Sequence, residues 1–219
     1  MDIFSLPKET VLFVARFAQE QFLTWLRILE NPLSVLSEVD LRSPDSLLSA
    51  LRFALFVYIA TWMVAIPDMV RYQKTNPLDL TTFLVDLVTT GLLFLWVGLT
   101  LFLSGRTLRG RGTLFANIIA GLYLTAIYPI IKVADYFTPL WRETRQMVPW
   151  AIGARLITMS VIVFGVATLF VRQAVPTLRH IHAFGPVRAT MATLLCMGLI
   201  VTAYYFVLDP LFLEPVRQR

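Results

Sequence analysis

Five apolar runs of membrane-spanning length dominate this chain of 219 residues. A helix needs about 20 mostly apolar residues to cross the hydrocarbon core of a bilayer. The connections between the runs are short, and none is long enough to fold as a separate domain. The predicted spans run from the cap at Ser43-Pro44-Asp45 to about Met69, and then cover Phe83–Ser104, Thr113–Ile131, Met147–Val171 and Ala189–Leu208.

The composition supports the same fold class. Hydrophobic residues make up 57% of the chain and charged residues 15%, whereas soluble domains are about 45–50% apolar and about 25% charged. We therefore predict an all-α, polytopic transmembrane helix bundle. It consists of an N-terminal amphipathic segment, residues 1–45, and one five-span transmembrane domain, residues 46–219.

The sequence of the N-terminal segment predicts an amphipathic helix, which carries too many charges to span the membrane. Apolar residues recur at spacings of three and four from Val11 to Leu29, which marks one helical face. Ser5 is placed to cap this helix, and Asn31-Pro32 is expected to end it, because a residue before proline avoids the helical region. The apolar face either lies in the membrane interface or packs on the protein's own spans. In the first case the aromatic residues that enter the lipid are Phe13, Phe17, Phe22 and Trp25.

The basic residues indicate orientation rather than a nucleic-acid partner. The formal net charge is +5, but the basic residues are scattered through short loops, where topology and lipid headgroups explain them. Arg106, Arg109 and Arg111 share one tight loop on the N-terminal side, and we expect them to contact the membrane surface. The positive-inside rule then favours a cytoplasmic N-terminus. Sixteen arginines against three lysines are typical of a GC-rich bacterial genome, so the predicted location is a bacterial inner membrane.

Four charged residues lie near span ends on the other side of the membrane. They are Asp68, Asp86, Lys132 and Arg155. Charges within spans are costly and often functional, so this cluster could form a polar vestibule or an ion-binding site. Alternatively, the four residues are ion pairs and snorkelling side chains that fix helix packing.

No catalytic, metal or cofactor site is expected. His180 and His182 are two residues apart in the predicted loop before the fifth span. An i, i+2 pair does not share a helix face, whereas in an extended loop both side chains can point the same way. Neither an acid nor a cysteine lies in that loop, and Cys196 is the chain's one cysteine. Neither G-x-S-x-G nor H-E-x-x-H occurs, so no enzymatic activity is predicted.

Small residues at helical spacing predict sites of close helix packing. Asn117 in this set could also donate a hydrogen bond across an interface. The candidates are Ala116, Asn117, Ala120, Gly121, Gly165 and Gly198.

Three segments resemble the Yip family of five-span membrane proteins. The first is Gly110-Arg111-Gly112-Thr113-Leu114-Phe115 followed by Tyr123 and Tyr128-Pro129; the second is Leu178–Gly185 followed by Arg188-Ala189; the third is Asn31-Pro32-Leu33. The resemblance covers roughly residues 31–208. It implies a helical bundle with a cytoplasmic N-terminus, no catalytic residues, and a role in membrane organisation, trafficking or partner binding. The D-L-Y-G-P motif of the eukaryotic branch, which interacts with Rab-type GTPases, is absent, so that role is not implied.

The predicted function is that of a non-enzymatic membrane protein that binds protein partners or further copies of itself in the lipid bilayer. It would act as a membrane-organising scaffold or as an accessory subunit of a membrane complex. The alternative is a small transporter, channel or lipid-handling component that uses the polar cluster around Asp86, Lys132 and Arg155.

Overall fold

The computed structural model describes residues 7–68, 80–136, 149–203 and 206, and it is helical throughout its regular structure. The all-α prediction is therefore confirmed. The helices of these residues are α1 (Lys8–Glu30), α2 (Leu33–Leu36), α3 (Pro44–Asp68), α4 (Leu80–Thr107), α5 (Leu114–Leu124), α6 (Tyr128–Tyr136), α7 (Pro149–His182) and α8 (Pro186–Ala203), with a 3-10 turn at Thr125–Ile127 between α5 and α6.

Five helical segments are long and apolar enough to cross a membrane, which makes the chain an integral membrane protein with five candidate spans. Both α5 and α6 belong to the third of them. The candidate spans are Pro44–Ile66, Phe83–Thr107, Leu114–Val133, Ser160–His182 and Pro186–Ala203.

Local sequence signals set several helix ends as predicted. Helix α1 stops at Glu30 because Asn31, before Pro32, is extended. Helix α3 begins at Pro44, and the Ser43 hydroxyl accepts a hydrogen bond from the backbone N–H of Asp45 at 3.2 Å. The start of α1 differs from the prediction: Lys8 is its first residue and Pro7 gives no side-chain cap, while Ser5 lies outside the described residues.

The prediction of a loop around the two histidines is wrong. Helix α7 continues beyond the apolar run that ends at Val171 and reaches His182. The end of α7 is set instead by Ala183, which adopts a left-handed conformation with φ of 56°, and by the following Gly185-Pro186. Arg172, Gln173 and the residues after them thus belong to the helix.

The third span is the centre of the bundle. In the most apolar stretch of this span 67% of the residues are buried, whereas the same share is 22–39% in the other four spans. Helices α3 and α4 both pack on it, and α8 lies against α4 and α7. Pro129 has no N–H to donate to the carbonyl of Thr125, and the 3-10 turn ends two residues before it.

Two apolar cores result from this arrangement. The first joins α1, α2, α3 and α5 through side chains that include Ile28, Leu36, Phe53 and Ile119. The second joins α4, α7 and α8 and contains Cys196, whose Sγ lies 3.2 Å from the hydroxyl of Thr100.

Candidate functional site

A buried histidine joins three parts of the chain at one end of the bundle. His182, in the last turn of α7, is only 2% exposed. Its Nδ1 accepts a hydrogen bond from the backbone N–H of Gly112 at 3.1 Å, and its Nε2 lies 3.0 Å from the Oδ1 of Asn117 on α5. His182 therefore connects α7 both to the loop that precedes α5 and to α5 itself.

Hydrogen bonding fixes the chemical form of this histidine. Because Nδ1 accepts from Gly112, the ring proton must be on Nε2, which donates to the carbonyl oxygen of Asn117. The amide group of Asn117 donates in turn to the backbone carbonyl of Thr113 at 2.7 Å. Both ring nitrogens of His182 are thus engaged, and the ring has no free lone pair for a metal ion.

Three glycines make room for the imidazole ring. A methyl group added at Gly105, Gly110 or Gly112 would collide with ring atoms of His182. On the other side the ring stacks on Phe184, with 5.3 Å between ring centroids and 15° between planes. We call this assembly of His182, Asn117 and the three glycines the histidine hub, and the end of the bundle that carries it the histidine end.

The hub corrects the predicted hydrogen bonding of Asn117 and shows that the two histidines differ in burial. Asn117 does bond across a helix interface, but it accepts there and donates within its own helix. His180, two residues from His182, is exposed instead of buried. Within residues 7–68, 80–136 and 149–203, the structure contains no group of three or more His, Cys, Asp or Glu side chains that could hold a metal ion.

At the opposite end of the bundle, Asp86 lies beside two residues of other helices. Tyr58 on α3 interacts electrostatically with Asp86, while its hydroxyl has no well-formed hydrogen bond among the described residues. Lys132 on α6 is close enough to attract the same carboxylate, and its ammonium group lies 5.8 Å from the ring centroid of Tyr128. Two members of the predicted polar cluster are therefore near each other, and Tyr58 and Tyr128 join them.

Asp68 and Arg155, the other two members, lie in helices α3 and α7, but the positions of their side chains lie outside the described part of the structure. An apolar groove adjoins Tyr58. It has a volume of about 210 Å³, lies between α3, α4 and α5, and is lined by side chains that include Leu55, Leu87 and Leu95.

The predicted small-residue contacts fall into two groups. Gly121 is in close contact with Gly98 of α4, and Ala116 and Ala120 are buried. Gly165 and Gly198 behave differently: a methyl group at either position would meet no described atom within 4 Å. Close packing at those two glycines is therefore not found within the described part of this chain.

Helix α1 divides into a packed half and an exposed half. The indole N–H of Trp25 donates to the carbonyl of Ala126 in the 3-10 turn at 2.7 Å, and Ile28 is fully buried. Toward the N-terminus, Phe13 is 71% exposed. Phe17 is partly buried, whereas Phe22 is exposed. The packing alternative thus holds for the second half of the helix only.

Sequence reasoning missed the two residues that organise these sites. The fall in hydropathy predicts a loop at His182, although Arg179, His180 and His182 together are typical of the last turn of a helix. Gly98 was not selected because its partner, Gly121, is distant in sequence and belongs to another helix.

Comparisons of this chain with protein-family models, with curated proteins and with solved structures find no match. The class that the fold defines is an integral membrane protein with five candidate spans and an additional N-terminal helix.

Proposed function

We propose that this protein is a non-enzymatic membrane protein that acts by binding other membrane proteins or further copies of itself, as a scaffold or an accessory subunit. The observation that supports the proposal is the unpacked first half of α1. Val11, Leu12 and Val14 are each about half exposed, next to the still more exposed Phe13. Contiguous exposed apolar surface beside polar residues is typical of interaction sites.

The way in which α1 is attached to the bundle favours a role in binding a partner protein. The helix is fixed to the bundle near Trp25 and Ile28, so its first half is held in a defined direction. Arg16 and Gln19 are exposed in the same half. An amphipathic helix presented in this way fits the apolar groove of a partner, a recognition mode that uses anchors at spacings of three and four.

Membership of the Yip family is part of this proposal. Its support is the five-span organisation together with the segments around Gly110–Phe115, Tyr128-Pro129 and Leu178–Gly185. A bacterial inner-membrane location and a cytoplasmic N-terminus are proposed with it, on the strength of the arginines in residues 106–111.

The test is purification of the tagged, full-length protein from its native membrane in a gentle detergent, followed by native mass spectrometry. We expect a complex of fixed stoichiometry. Phe13→Asp should release the partner or dissociate the oligomer, whereas Gln19→Asp adds the same charge on the polar side of α1 and should retain it. A wild-type protein that emerges as a bare monomer, or a Phe13→Asp variant that keeps its partner, contradicts the proposal.

A second candidate function, lipid handling or transport, is favoured by the surroundings of Asp86. The hydroxyl of Tyr58, a residue that is only 3% exposed, has no well-formed hydrogen bond within the described structure. Tyr58 also lines the groove of about 210 Å³. An apolar groove with a few convergent polar groups is the usual form of a small-molecule site.

Asp86→Asn separates this function from a structural role. A site for lipid handling should lose activity in vesicles, measured as movement of a fluorescent phosphatidylethanolamine between leaflets, while the variant keeps its melting temperature. A structural ion pair should instead lower the melting temperature in detergent and leave bound partners in place. Asp45→Asn, which alters an exposed acid at the start of α3, serves as the matched control.

A further inference from the structure

The histidine hub brings two arginine-bearing segments to the same end of the bundle. Gly105, Gly110 and Gly112 touch the ring of His182, and Arg106, Arg109 and Arg111 alternate with them along the chain. The second segment is the last turn of α7 and the first turn of α8, which carry Arg179 and Arg188. Residues distant in sequence are therefore gathered around one buried side chain.

These five arginines are exposed and lie in segments without acids. The sequence contains neither Asp nor Glu between residues 87 and 134 or between residues 144 and 208. The ion pair between Arg27 and Glu38 involves none of these five arginines. The segments that form the histidine end therefore carry positive charge and contain no acidic residue that would neutralise it.

The arginines also lie at the ends of the candidate spans, where headgroups are expected. Each is within one helical turn of an end of a candidate span, because the second span ends at Thr107, the third begins at Leu114, the fourth ends at His182 and the fifth begins at Pro186. Guanidinium groups bind phosphate oxygens through paired hydrogen bonds, which is why arginine is common at phosphate sites.

The backbone at Arg109 is a second, independent observation. Arg109 has φ of 60°, a left-handed conformation that disfavours residues with a side chain, and it follows the end of α4 where glycine is the usual residue. Ala183 holds the same conformation after α7, with φ of 56°. Both left-handed residues end helices beside the histidine hub, and at one of them an arginine takes the place that glycine usually occupies.

We propose that the histidine end binds the phosphate headgroups of anionic phospholipids, through Arg106, Arg109 and Arg111 on one segment and Arg179 and Arg188 on the other. The histidine hub holds the two segments together, so headgroup binding depends on the fold of this end as well as on its charge. The site is independent of the α1 surface proposed above to bind partners.

The experiment uses the full-length protein in a neutral detergent, with dioleoyl phosphatidylglycerol and dioleoyl phosphatidylcholine as probes and native mass spectrometry to count bound lipids. We expect the wild-type protein to prefer phosphatidylglycerol. The triple variant Arg106→Gln/Arg109→Gln/Arg111→Gln should bind it at least about tenfold more weakly, since each basic residue near an anionic surface contributes to binding.

The matched control is Arg16→Gln/Arg42→Gln/Arg52→Gln, which removes the same charge from exposed residues outside the two arginine-bearing segments. It should keep the preference. Equal losses in the two triple variants, or a wild-type protein without preference, would overturn the proposal. Displacement of the lipid by millimolar inorganic phosphate would do so as well, because the site would then be one for a free anion.

Single substitutions keep the test valid if the triple variant fails to fold. Arg109→Gly and Ala183→Gly both relieve a left-handed residue, and both should raise the melting temperature by about 2 to 4 °C. Only Arg109→Gly should weaken the binding of phosphatidylglycerol. If the two variants bind the lipid equally well, Arg109 does not contact the headgroup and the proposal is wrong.

Discussion

Replacement of Gly121 by alanine should destabilise the protein, although alanine is the better helix former. Gly121 lies in α5 where it crosses α4, and a methyl group there would be 2.5 Å from both the Cα and the backbone N of Gly98. Ordinary contacts between carbon atoms are about 3.5 to 4.0 Å long. The two helices would have to separate by about 1 Å to admit the methyl group, because atoms of a backbone cannot rotate away as a side chain can.

The expected loss of stability in Gly121→Ala follows from two opposing effects. Overpacking of a well-packed core costs about 1–3 kcal/mol, and contact between two backbones puts this case near the upper value. Alanine recovers up to about 1 kcal/mol through its helix propensity. We therefore expect a net loss of about 2 kcal/mol for Gly121→Ala. At Gly91 of α4 a methyl group would meet no described atom within 4 Å, so the same substitution should stabilise by up to about 1 kcal/mol.

The assay is unfolding by sodium dodecyl sulfate in mixed micelles, followed by far-ultraviolet circular dichroism. Gly121→Ala should unfold at a lower detergent fraction than the wild-type protein, and Gly91→Ala at the same or a higher fraction. Gly98→Ala should resemble Gly121→Ala, because its methyl group would lie 2.6 Å from the Cα of Ile118. If Gly121→Ala and Gly91→Ala are equally stable, the crossing is not tight and the reasoning fails.

Three further outcomes follow from single contacts. Asn117→Ala leaves the Nε2–H of His182 buried without a partner and should lower stability by about 1–3 kcal/mol, measured by thermal melting in detergent. Trp25→Phe removes the hydrogen bond to the carbonyl of Ala126, so hydrogen exchange in α1 should become faster while exchange in α3 is unchanged. Cys196 is fully buried, so maleimide should label it only as the protein unfolds.

The spans could be predicted from the sequence because length and hydropathy alone decide which helices can cross a membrane. The start of α3 was predicted as well, since Ser43-Pro44-Asp45 is a local capping signal that needs no distant partner. The end of α7 differs from the prediction, because hydropathy falls at Arg172 while the helix continues to His182. Hydropathy marks where an apolar surface ends, while the residues after His182 decide where the helix ends.

The candidate sites depended on contacts between distant residues. His182 and Asn117 are 65 residues apart, and nothing in either local sequence pairs them. In the sequence Gly110 and Gly112 stand out only as part of the segment Gly110–Phe115, whereas their role in the fold is to leave room for an imidazole ring. Asp86 can be singled out from the sequence alone, because a charge within an apolar run is conspicuous whatever its partners.

This contrast has a physical origin in the membrane. Lipid tails are as apolar as leucine, so burial of leucine against another helix contributes little that fixes how two helices align. Alignment must come from contacts with a defined geometry, such as the crossing of Gly98 with Gly121, the bonds of His182, and the indole of Trp25 on the carbonyl of Ala126. A sequence that kept the hydropathy of every span and lost these contacts would still insert into a membrane, but its helices would have no reason to adopt this one arrangement.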